Sequence, residues 1–205
     1  MKDVRVVLLG VGAAGVAIAK LLMAEGVGDV VGVNRHGILD PNDERLDEDR
    51  RWLASHSNAE HRTGDLSVAM TGADVFIGVS GPNLVTEEQL TLMAPKSIVF
   101  ALANPEPEID PVIARRHAAI VATGRSDEPN QINNVLAFPG IFRGLLDAGA
   151  SHVTEEVEIA AGRAIADAVG SDELSANYIV PTVFNPTVVS AVAAAVMKVA
   201  KPARR

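Results

Sequence analysis

Residues 4–15 decide the fold, and they have the sequence Val4-Arg5-Val6-Val7-Leu8-Leu9-Gly10-Val11-Gly12-Ala13-Ala14-Gly15. The apolar run at its start has the length of a buried strand, and a helical pattern from Ala13 to about Glu25 follows the glycines. Gly10 permits a tight turn, Gly12 lets a phosphate approach the backbone, and Gly15 lets the helix pack near its strand. Because a helix N-terminus presents free N–H groups, the stretch predicts a dinucleotide-binding turn.

The composition narrows the class of protein. Of the 205 residues 48% are hydrophobic and only 3% aromatic, which indicates a core of Val, Ile, Leu and Ala, as buried parallel strands require. The formal charge of −8 argues against nucleic-acid and anionic-membrane partners, since both attract cationic surfaces. Cysteine is absent, which excludes disulfides, thiolate metal sites and a thiol nucleophile. We expect a cytoplasmic protein, because the sequence has neither a signal-peptide pattern nor a stretch that could span a bilayer.

Strands and helices alternate after the opening unit. Apolar runs predict further strands over residues 29–33, 74–79, 97–102 and 118–122, and residues 86–89 have the sequence of a capping box. No clear strand lies between Trp52 and Thr71, so the third strand of a dinucleotide fold should be short, irregular or missing. The charged residues 38–51 are expected to form a solvated loop and an exposed helix.

Helical patterns dominate the C-terminal part. They predict a helical segment from about Asn134 to Gly149, a helix capped by Thr154 that ends near Gly170, and a last Ala/Val-rich helix over about residues 186–199. We expect one domain over residues 1–205, with a dinucleotide fold over about 1–150 and C-terminal helices over about 151–205 that pack on it. The fold class is α/β: Rossmann-type and doubly wound, with a mostly parallel sheet and extra C-terminal helices.

Ligands of open α/β sheets bind beyond the carboxyl ends of the strands. Here those ends have small or amide-bearing residues, namely Gly10–Gly15, Asn34–His36, Gly78–Ser80, Asn104–Pro105 and Thr123–Ser126, with Asn133 and Asn134 soon after. An amide can orient a ligand without competing for its proton. The sequence has no HExxH motif, carboxylate cluster or nucleophile elbow, and its 5 His residues are scattered in polar surroundings. It therefore predicts binding groups rather than a catalytic base.

Three segments together resemble the NAD(P)-binding domain of bacterial short-form malic enzymes. They are residues 10–15, residues 103–109 (Ala-Asn-Pro-Glu-Pro-Glu-Ile) and residues 123–140 (Thr-Gly-Arg-Ser-Asp-Glu-Pro-Asn-Gln-Ile-Asn-Asn-Val-Leu-Ala-Phe-Pro-Gly). The resemblance covers nearly the whole chain. It implies an enzyme that oxidises malate with NAD or NADP and decarboxylates the product to pyruvate, using Mg²⁺ or Mn²⁺. It also implies a homodimer for the complete enzyme and a short antiparallel third strand, in agreement with the gap in the strand pattern.

The resemblance assigns roles to individual residues. It implies that the turn residues Gly10, Gly12, Ala13, Ala14 and Gly15 hold the pyrophosphate. The remaining cofactor residues would be Asn34, Arg35, Ser80, Asn104, Asn133 and Asn134. Asn104 and Asn134 would also contact malate, where the substrate meets the nicotinamide.

The family's catalytic Tyr and Lys and its metal carboxylates precede the cofactor domain, and most of them lie on a separate N-terminal domain. Met1-Lys2-Asp3 leads directly into the first strand, and the only Tyr, Tyr178, matches no catalytic motif. We therefore expect no catalytic residue and no metal ligand on this chain. Turnover should need the N-terminal domain as a partner.

Two substitutions also depart from the family pattern. Asn34 stands where many relatives have the ribose-binding Asp, which removes both an acceptor for a 2′-hydroxyl and the repulsion of a 2′-phosphate. Arg35 and His36 could then pair with that phosphate, which favours NADP over NAD, whereas Arg35 stacked on adenine would carry no such preference. Glu128 replaces a Tyr that is common in the long motif.

Two other functions stay open at this point. The chain could be a stand-alone NAD(P)-binding or regulatory module without turnover. It could also be the cofactor domain of a dehydrogenase acting on amino acids or shikimate, although the stretch Asn130-Gln131-Ile132-Asn133-Asn134 argues against that alternative.

Overall fold

The computed structural model describes residues 1–202, and contacts divide the chain into two compact units, Met1–Glu128 and a second that begins at Pro129. The strands are β1 Arg5–Leu9, β2 Asp29–Asn34, β3 Gly37–Ile38, β4 Val75–Gly78, β5 Ile98–Ala101 and β6 Ile120–Thr123. The helices of the first unit are α1 Ala13–Ala24, α2 Glu48–His56, α3 Leu66–Met70, α4 Glu87–Thr91 and α5 Pro111–Ala114. Those of the second unit are a 3-10 turn Asn134–Leu136, α6 Phe138–Ala148, α7 Glu155–Asp167 and α8 Val188–Val199.

The first unit is built on a 6-stranded sheet with the order β3-β2-β1-β4-β5-β6. All neighbours are parallel except β3, which pairs antiparallel with β2. The strand order reverses between β1 and β4, and this is the switch point at which doubly wound sheets bind ligands. The predicted fold class is confirmed, and so is the short antiparallel strand. That strand lies at residues 37–38, ahead of the gap between Trp52 and Thr71, which holds the end of α2 and all of α3.

Alternating strand residues supply two cores, one on each face of the sheet. On one face Val7 and Leu9 of β1 pack with residues of α3, α4 and α5 around the fully buried Phe76. On the other face Val6 and Leu8 pack with residues of α1 and α2. Strands buried on both faces explain why these segments are continuous apolar runs in the sequence.

Several predicted boundaries shift for local reasons. The capping box of α4 is confirmed, since Thr86 and Gln89 satisfy each other's backbone N–H groups. The last strand begins at Ile120 rather than residue 118, because the amide of Ala118 still donates to the carbonyl of Ala114. The helix α8 begins at Val188, after a turn in which Asn185 Oδ1 accepts from the Thr187 amide.

For the charged segment over residues 38–51 the sequence predicts a solvated loop and an exposed helix; α2 does begin at Glu48, but the loop before it also contributes to the core. Leu39 and Leu46 are buried in the core that α1 and α2 share. The Arg51 guanidinium donates to the carbonyl oxygens of Pro41 and Leu46, at 3.1 and 2.9 Å, so the loop is tied to α2. This loop is therefore held against the sheet, where it can help to line a site.

The second unit packs α6, α7 and α8 around its own apolar cluster, which includes Ile141, Val157 and Val192. Gly149 ends α6 in the left-handed conformation, with φ of 63°. Thr154 precedes α7, but its side chain makes no capping hydrogen bond to the helix, and α7 ends at Asp167 rather than near Gly170.

Candidate functional site

The glycine turn after β1 packs tightly at two of its glycines and leaves open space at the third. Gly10 has φ of 99° and packs so tightly that an added Cβ would lie 2.6 Å from the Val79 carbonyl oxygen. A Cβ on Gly15 would overlap the Gly10 carbonyl oxygen, which is why α1 can begin so close to its strand. A Cβ on Gly12, in contrast, would meet nothing within 4 Å. Gly12 precedes α1, and no side chain caps the first N–H groups of this helix; we call the open space at Gly12 the cradle.

The end of β4 lies beside this turn. The Val79 amide donates to the Leu9 carbonyl at 2.9 Å, and Ser80 Cβ lies 3.0 Å from where a Gly10 Cβ would stand. The exposed Ser80 therefore adjoins the glycine turn at the switch point. Both strand ends contribute to one cavity of about 550 Å³, which is lined by Leu9, Gly10, Val33, Asn34, Arg35, His36, Gly37, Asp65, Leu66, Ser80 and Leu84.

The end of β2 closes the other side of the turn. Asn34 Oδ1 accepts from the His36 amide at 2.7 Å, and Arg35 Nε donates to His36 Nε2 at 3.1 Å. A second cavity of about 560 Å³ here is lined by Gly10, Val11, Asn34, Arg35, His36, Asp43, Arg45, Leu46 and Arg50. Gly10, Asn34 and Arg35 line both cavities, so the structure brings these three predicted residues together.

Two arginines of the charged segment, Arg45 and Arg50, also line this second cavity. Neither was among the site residues predicted from the sequence. Arg45 forms two hydrogen bonds with the Asp43 carboxylate, both at 2.8 Å, and these lower the pKa of Asp43 to about 2. Arg50 Nε donates to the Val11 carbonyl at 3.0 Å, which anchors the glycine turn to α2. Among residues 1–202, the guanidinium of Arg35 is the one in this cavity that has no carboxylate within ion-pair distance.

Asn104 lies at the end of β5, in a separate part of the first unit's strand-end edge. It is exposed and lines a cavity of about 340 Å³ together with Ala103, Pro105, Gly124, Arg125, Ser126 and Asp127. Arg125 pairs with Asp127, and this ion pair lowers the pKa of the Asp127 carboxyl group. Glu128, which stands where relatives often have Tyr, pairs with Arg115.

Asn133 and Asn134 belong to the second unit. Asn133 Oδ1 accepts from the Val135 amide at 3.0 Å and so caps the 3-10 turn, while Asn134 is exposed at its first position. The buried Asn130 organises the same segment by bonding the Ala176 carbonyl and the Ile179 amide. The exposed side chain of Asn134 thus stays available for a ligand. The side-chain oxygen of Asn133 already caps the 3-10 turn.

A buried carboxylate beneath the strand ends was also missed by the sequence analysis. Glu108 has no exposed surface, and it bonds the backbone of Ser80 and of Ala103. In the sequence the only indication is that this acidic residue stands between two apolar residues, Pro107 and Ile109. In the structure both of these neighbours are buried.

The residues that the structure describes do not assemble a metal centre. From residue 1 to residue 202 no three or more His, Cys, Asp or Glu side chains are grouped so that they could hold a metal ion. Over the same residues we find no helix with the length and apolar character needed to cross a bilayer.

Comparison with known proteins identifies the family. The family described as "Malic enzyme, NAD binding domain" matches residues 1–201. This chain belongs to that family. It is 49% identical over 200 residues to the NAD-dependent malic enzyme of Geobacillus stearothermophilus, covering 98% of this chain and 42% of that protein. It is also 41% identical over 218 residues to the NADP-dependent malic enzyme of Halomonas elongata, covering 98% of this chain and 51% of that protein.

A solved structure in the family has the same fold. The crystal structure of an NAD-dependent malic enzyme from Thermotoga maritima matches with a TM-score of 0.90 and 46% identity, covering 96% of this chain and 52% of the other. The chain thus spans about half the length of the malic enzymes it matches. The assignment as a malic-enzyme NAD(P)-binding domain, made from the sequence, is confirmed.

Proposed function

We propose that this chain is the cofactor-binding half of an enzyme that oxidises malate with NAD or NADP and decarboxylates it to pyruvate. The proposal rests chiefly on the cradle at Gly12, which adjoins the N-terminus of α1 in a turn whose first glycine, Gly10, packs against Ser80. A phosphate that entered this cradle would meet N–H groups and the positive end of a helix dipole. Membership in the malic-enzyme family supplies the substrate class.

Each proposed binding residue has a chemical task that its position allows. The backbone from Gly10 to Gly15 would hold the pyrophosphate, and Ser80 would contact the cofactor next to it. Asn104 and Asn134 would hydrogen-bond the nicotinamide and malate, and Asn133 would keep its neighbour in place. The bound nicotinamide would supply the hydride acceptor. The chain's own part is to fix both ligands in a reactive orientation.

The proton transfer and the decarboxylation need groups that we assign to another domain. Oxidation of an alcohol needs a base at its hydroxyl, and loss of CO₂ from a keto acid is assisted by a polarised ketone. We propose that an N-terminal domain supplies the base and the ligands for Mg²⁺ or Mn²⁺, and that the complete enzyme is a homodimer. Residues 1–202, the part of the chain that the structure describes, contain no group of side chains that fits a metal site.

The choice between NAD and NADP should depend on the end of β2. Asn34 lacks the charge that would repel a 2′-phosphate. Among residues 1–202, the Arg35 guanidinium donates to His36 Nε2 and has no carboxylate within ion-pair distance. The other two arginines of the cavity interact with Asp43 and Asp47. We therefore propose that Arg35 pairs with the 2′-phosphate and that the chain prefers NADP.

Replacing Arg35 by alanine should weaken NADP binding at least about tenfold and NAD binding less than about twofold, because a hydrogen bond to a charged group is worth about 1.5–3 kcal/mol. Isothermal titration calorimetry with both nucleotides measures the two changes. Arg143→Ala is the matched control, since Arg143 is exposed on α6 and pairs with Asp147. Equal losses for NAD and NADP would remove the basis for the preference, because adenine stacking would explain them.

The enzymatic proposal is tested by complementation. The chain alone, incubated with malate, NADP and Mn²⁺, should form no NADPH. Addition of a separately produced N-terminal half of a malic enzyme should restore malate-dependent NADPH formation if the two halves dock. Turnover by the chain alone would show that the catalytic groups have been assigned to the wrong domain.

The alternative function is a stand-alone NAD(P)-binding or regulatory module. It shares the cofactor residues and differs only in the absence of turnover. Nucleotide binding without activity in either incubation, and with no association between the two halves, would favour this module over the enzyme half.

A further inference from the structure

The carboxylate of Glu108 joins two loops that follow neighbouring strands. Its Oε1 accepts from the Ser80 amide at 2.9 Å and from the Ser80 hydroxyl at 3.3 Å, and its Oε2 accepts from the Ala103 amide at 3.1 Å. Ser80 follows β4, while Ala103 follows β5 and directly precedes Asn104. A single buried side chain therefore links two proposed ligand-binding positions.

The surrounding backbone is built to hold this carboxylate. Gly78, the last residue of β4, leaves the room it occupies: an added Cβ would lie 2.7 Å from either carboxylate oxygen of Glu108. The segment that carries Glu108 is fixed as well, because the Val85 amide donates to the Glu108 carbonyl at 3.0 Å. The Asn83 amide donates to the Pro107 carbonyl at 3.1 Å. Hydrogen bonds thus fix both the carboxylate of Glu108 and the backbone of the segment that carries it.

We infer that Glu108 is a positioning residue for cofactor binding, an inference that rests on the proposed function. An ionised carboxylate only accepts hydrogen bonds. The Ser80 hydroxyl donates its proton to Glu108 and so presents its lone pairs to the site. Ser80 is then selective for a hydrogen-bond donor of the ligand, such as a ribose hydroxyl or a carboxamide N–H. On the other side, the bond to Ala103 fixes the start of the loop that carries Asn104.

A glutamine in place of Glu108 would disturb one of the two loops selectively. Its amide has one acceptor oxygen, and Ser80 offers two donors where Ala103 offers one. The oxygen would therefore turn towards Ser80, and the amide N–H₂ would oppose the Ala103 N–H. Two donors that face each other repel and lose the hydrogen bond. We therefore expect the loop that carries Asn104 to shift, while the side chain at position 108 keeps almost the same volume.

The test compares two probes by calorimetry on three chains and one control variant. The probes are NADP and adenosine 2′,5′-bisphosphate, which lacks the nicotinamide half; the chains are wild type, Glu108→Gln and Glu108→Asp. We expect Glu108→Gln to bind NADP about fivefold to tenfold more weakly, as the loss of one buried hydrogen bond predicts, and to bind the bisphosphate within about twofold of wild type. Glu106→Gln is the control, since Glu106 is exposed in the same loop.

The aspartate variant separates positioning from simple space filling. Aspartate remains an acceptor-only group but leaves a small void, whereas glutamine fills the space but loses the hydrogen bond from the Ala103 amide. If Glu108 acts by positioning, Glu108→Asp should retain more NADP affinity relative to the bisphosphate than Glu108→Gln. If Glu108 only fills space, the order should be reversed.

Three outcomes overturn the inference. They are unchanged NADP affinity in Glu108→Gln, an equal loss for both probes, or a greater loss in the aspartate variant. A wild-type chain that binds neither probe would instead overturn the proposed function, and the inference with it. If Glu108→Gln does not fold, amide hydrogen exchange in the wild-type chain decides the matter: slow exchange at Ser80 and Ala103 supports the bonds, and fast exchange at either residue contradicts them.

Discussion

Replacing Gly12 by alanine is expected to weaken NAD and NADP binding at least about tenfold, because the methyl group would occupy the phosphate cradle and displace one or more charge-assisted hydrogen bonds. The free chain should tolerate the change. Gly12 has φ of −77°, which any residue adopts, and the new Cβ would meet no atom within 4 Å. Calorimetric titration measures the affinity, and thermal unfolding measures the stability.

The open space at Gly12 that lets the fold accept an alanine is thus the space that we propose for the phosphate. Gly162→Ala is the matched control, since Gly162 lies in α7 and an added Cβ there also meets nothing within 4 Å. It should leave both affinities unchanged. Undiminished binding by Gly12→Ala would mean that the phosphates lie elsewhere, and the proposed site would have to be abandoned.

Replacing Gly144 by alanine should lower the free energy of unfolding by about 1–3 kcal/mol, the usual cost of overpacking a core. The new Cβ would lie 2.6 Å from the Ala193 carbonyl oxygen and 2.7 Å from Val196 Cβ. The carbonyl oxygen belongs to the backbone of α8, so the helices must move apart. Urea unfolding measures the loss.

Helix propensity alone predicts the opposite sign for Gly144→Ala. Glycine inside a helix is destabilising by about 0.5–1 kcal/mol relative to alanine, so Gly162→Ala should gain about that amount. The two substitutions share their chemistry and differ only in what surrounds the new methyl group. A stabilised Gly144→Ala would show that α6 and α8 do not approach as closely as described.

The features that could be predicted from the sequence are those whose cause is local. The strand, turn and helix around Gly10, Gly12 and Gly15 follow from residues that are neighbours in the chain. The capping box at Thr86 and Gln89 is local as well. Buried parallel strands are also readable, because burial on both faces makes them apolar throughout.

The short antiparallel strand could be inferred only through family resemblance. Gly37–Ile38 contains two residues, which is too few for an alternating pattern. Its pairing depends on the turn through Arg35 and His36, and a solvated loop explains that sequence equally well. The position of the strand was accordingly not specified by the sequence.

The missed site residues depend on partners far along the chain. Arg50 reaches the Val11 carbonyl across 39 positions, and Glu108 reaches Ser80 across 28. In the sequence, Arg50 is one charge among many, and Glu108 is one acidic residue in a Pro-rich loop. Their roles emerge only when the sheet brings the strand ends together.

The central claim is that the glycine turn and its neighbouring strand ends bind a nicotinamide dinucleotide. Calorimetric titration of the chain with NADP and with NAD tests it most directly, with thermal unfolding followed in parallel. We expect saturable binding of both nucleotides, tighter for NADP, and an unfolding midpoint that rises with nucleotide concentration, because a ligand that binds only the folded state stabilises it. The absence of both heat and stabilisation with either nucleotide would show that this chain does not bind a nicotinamide dinucleotide.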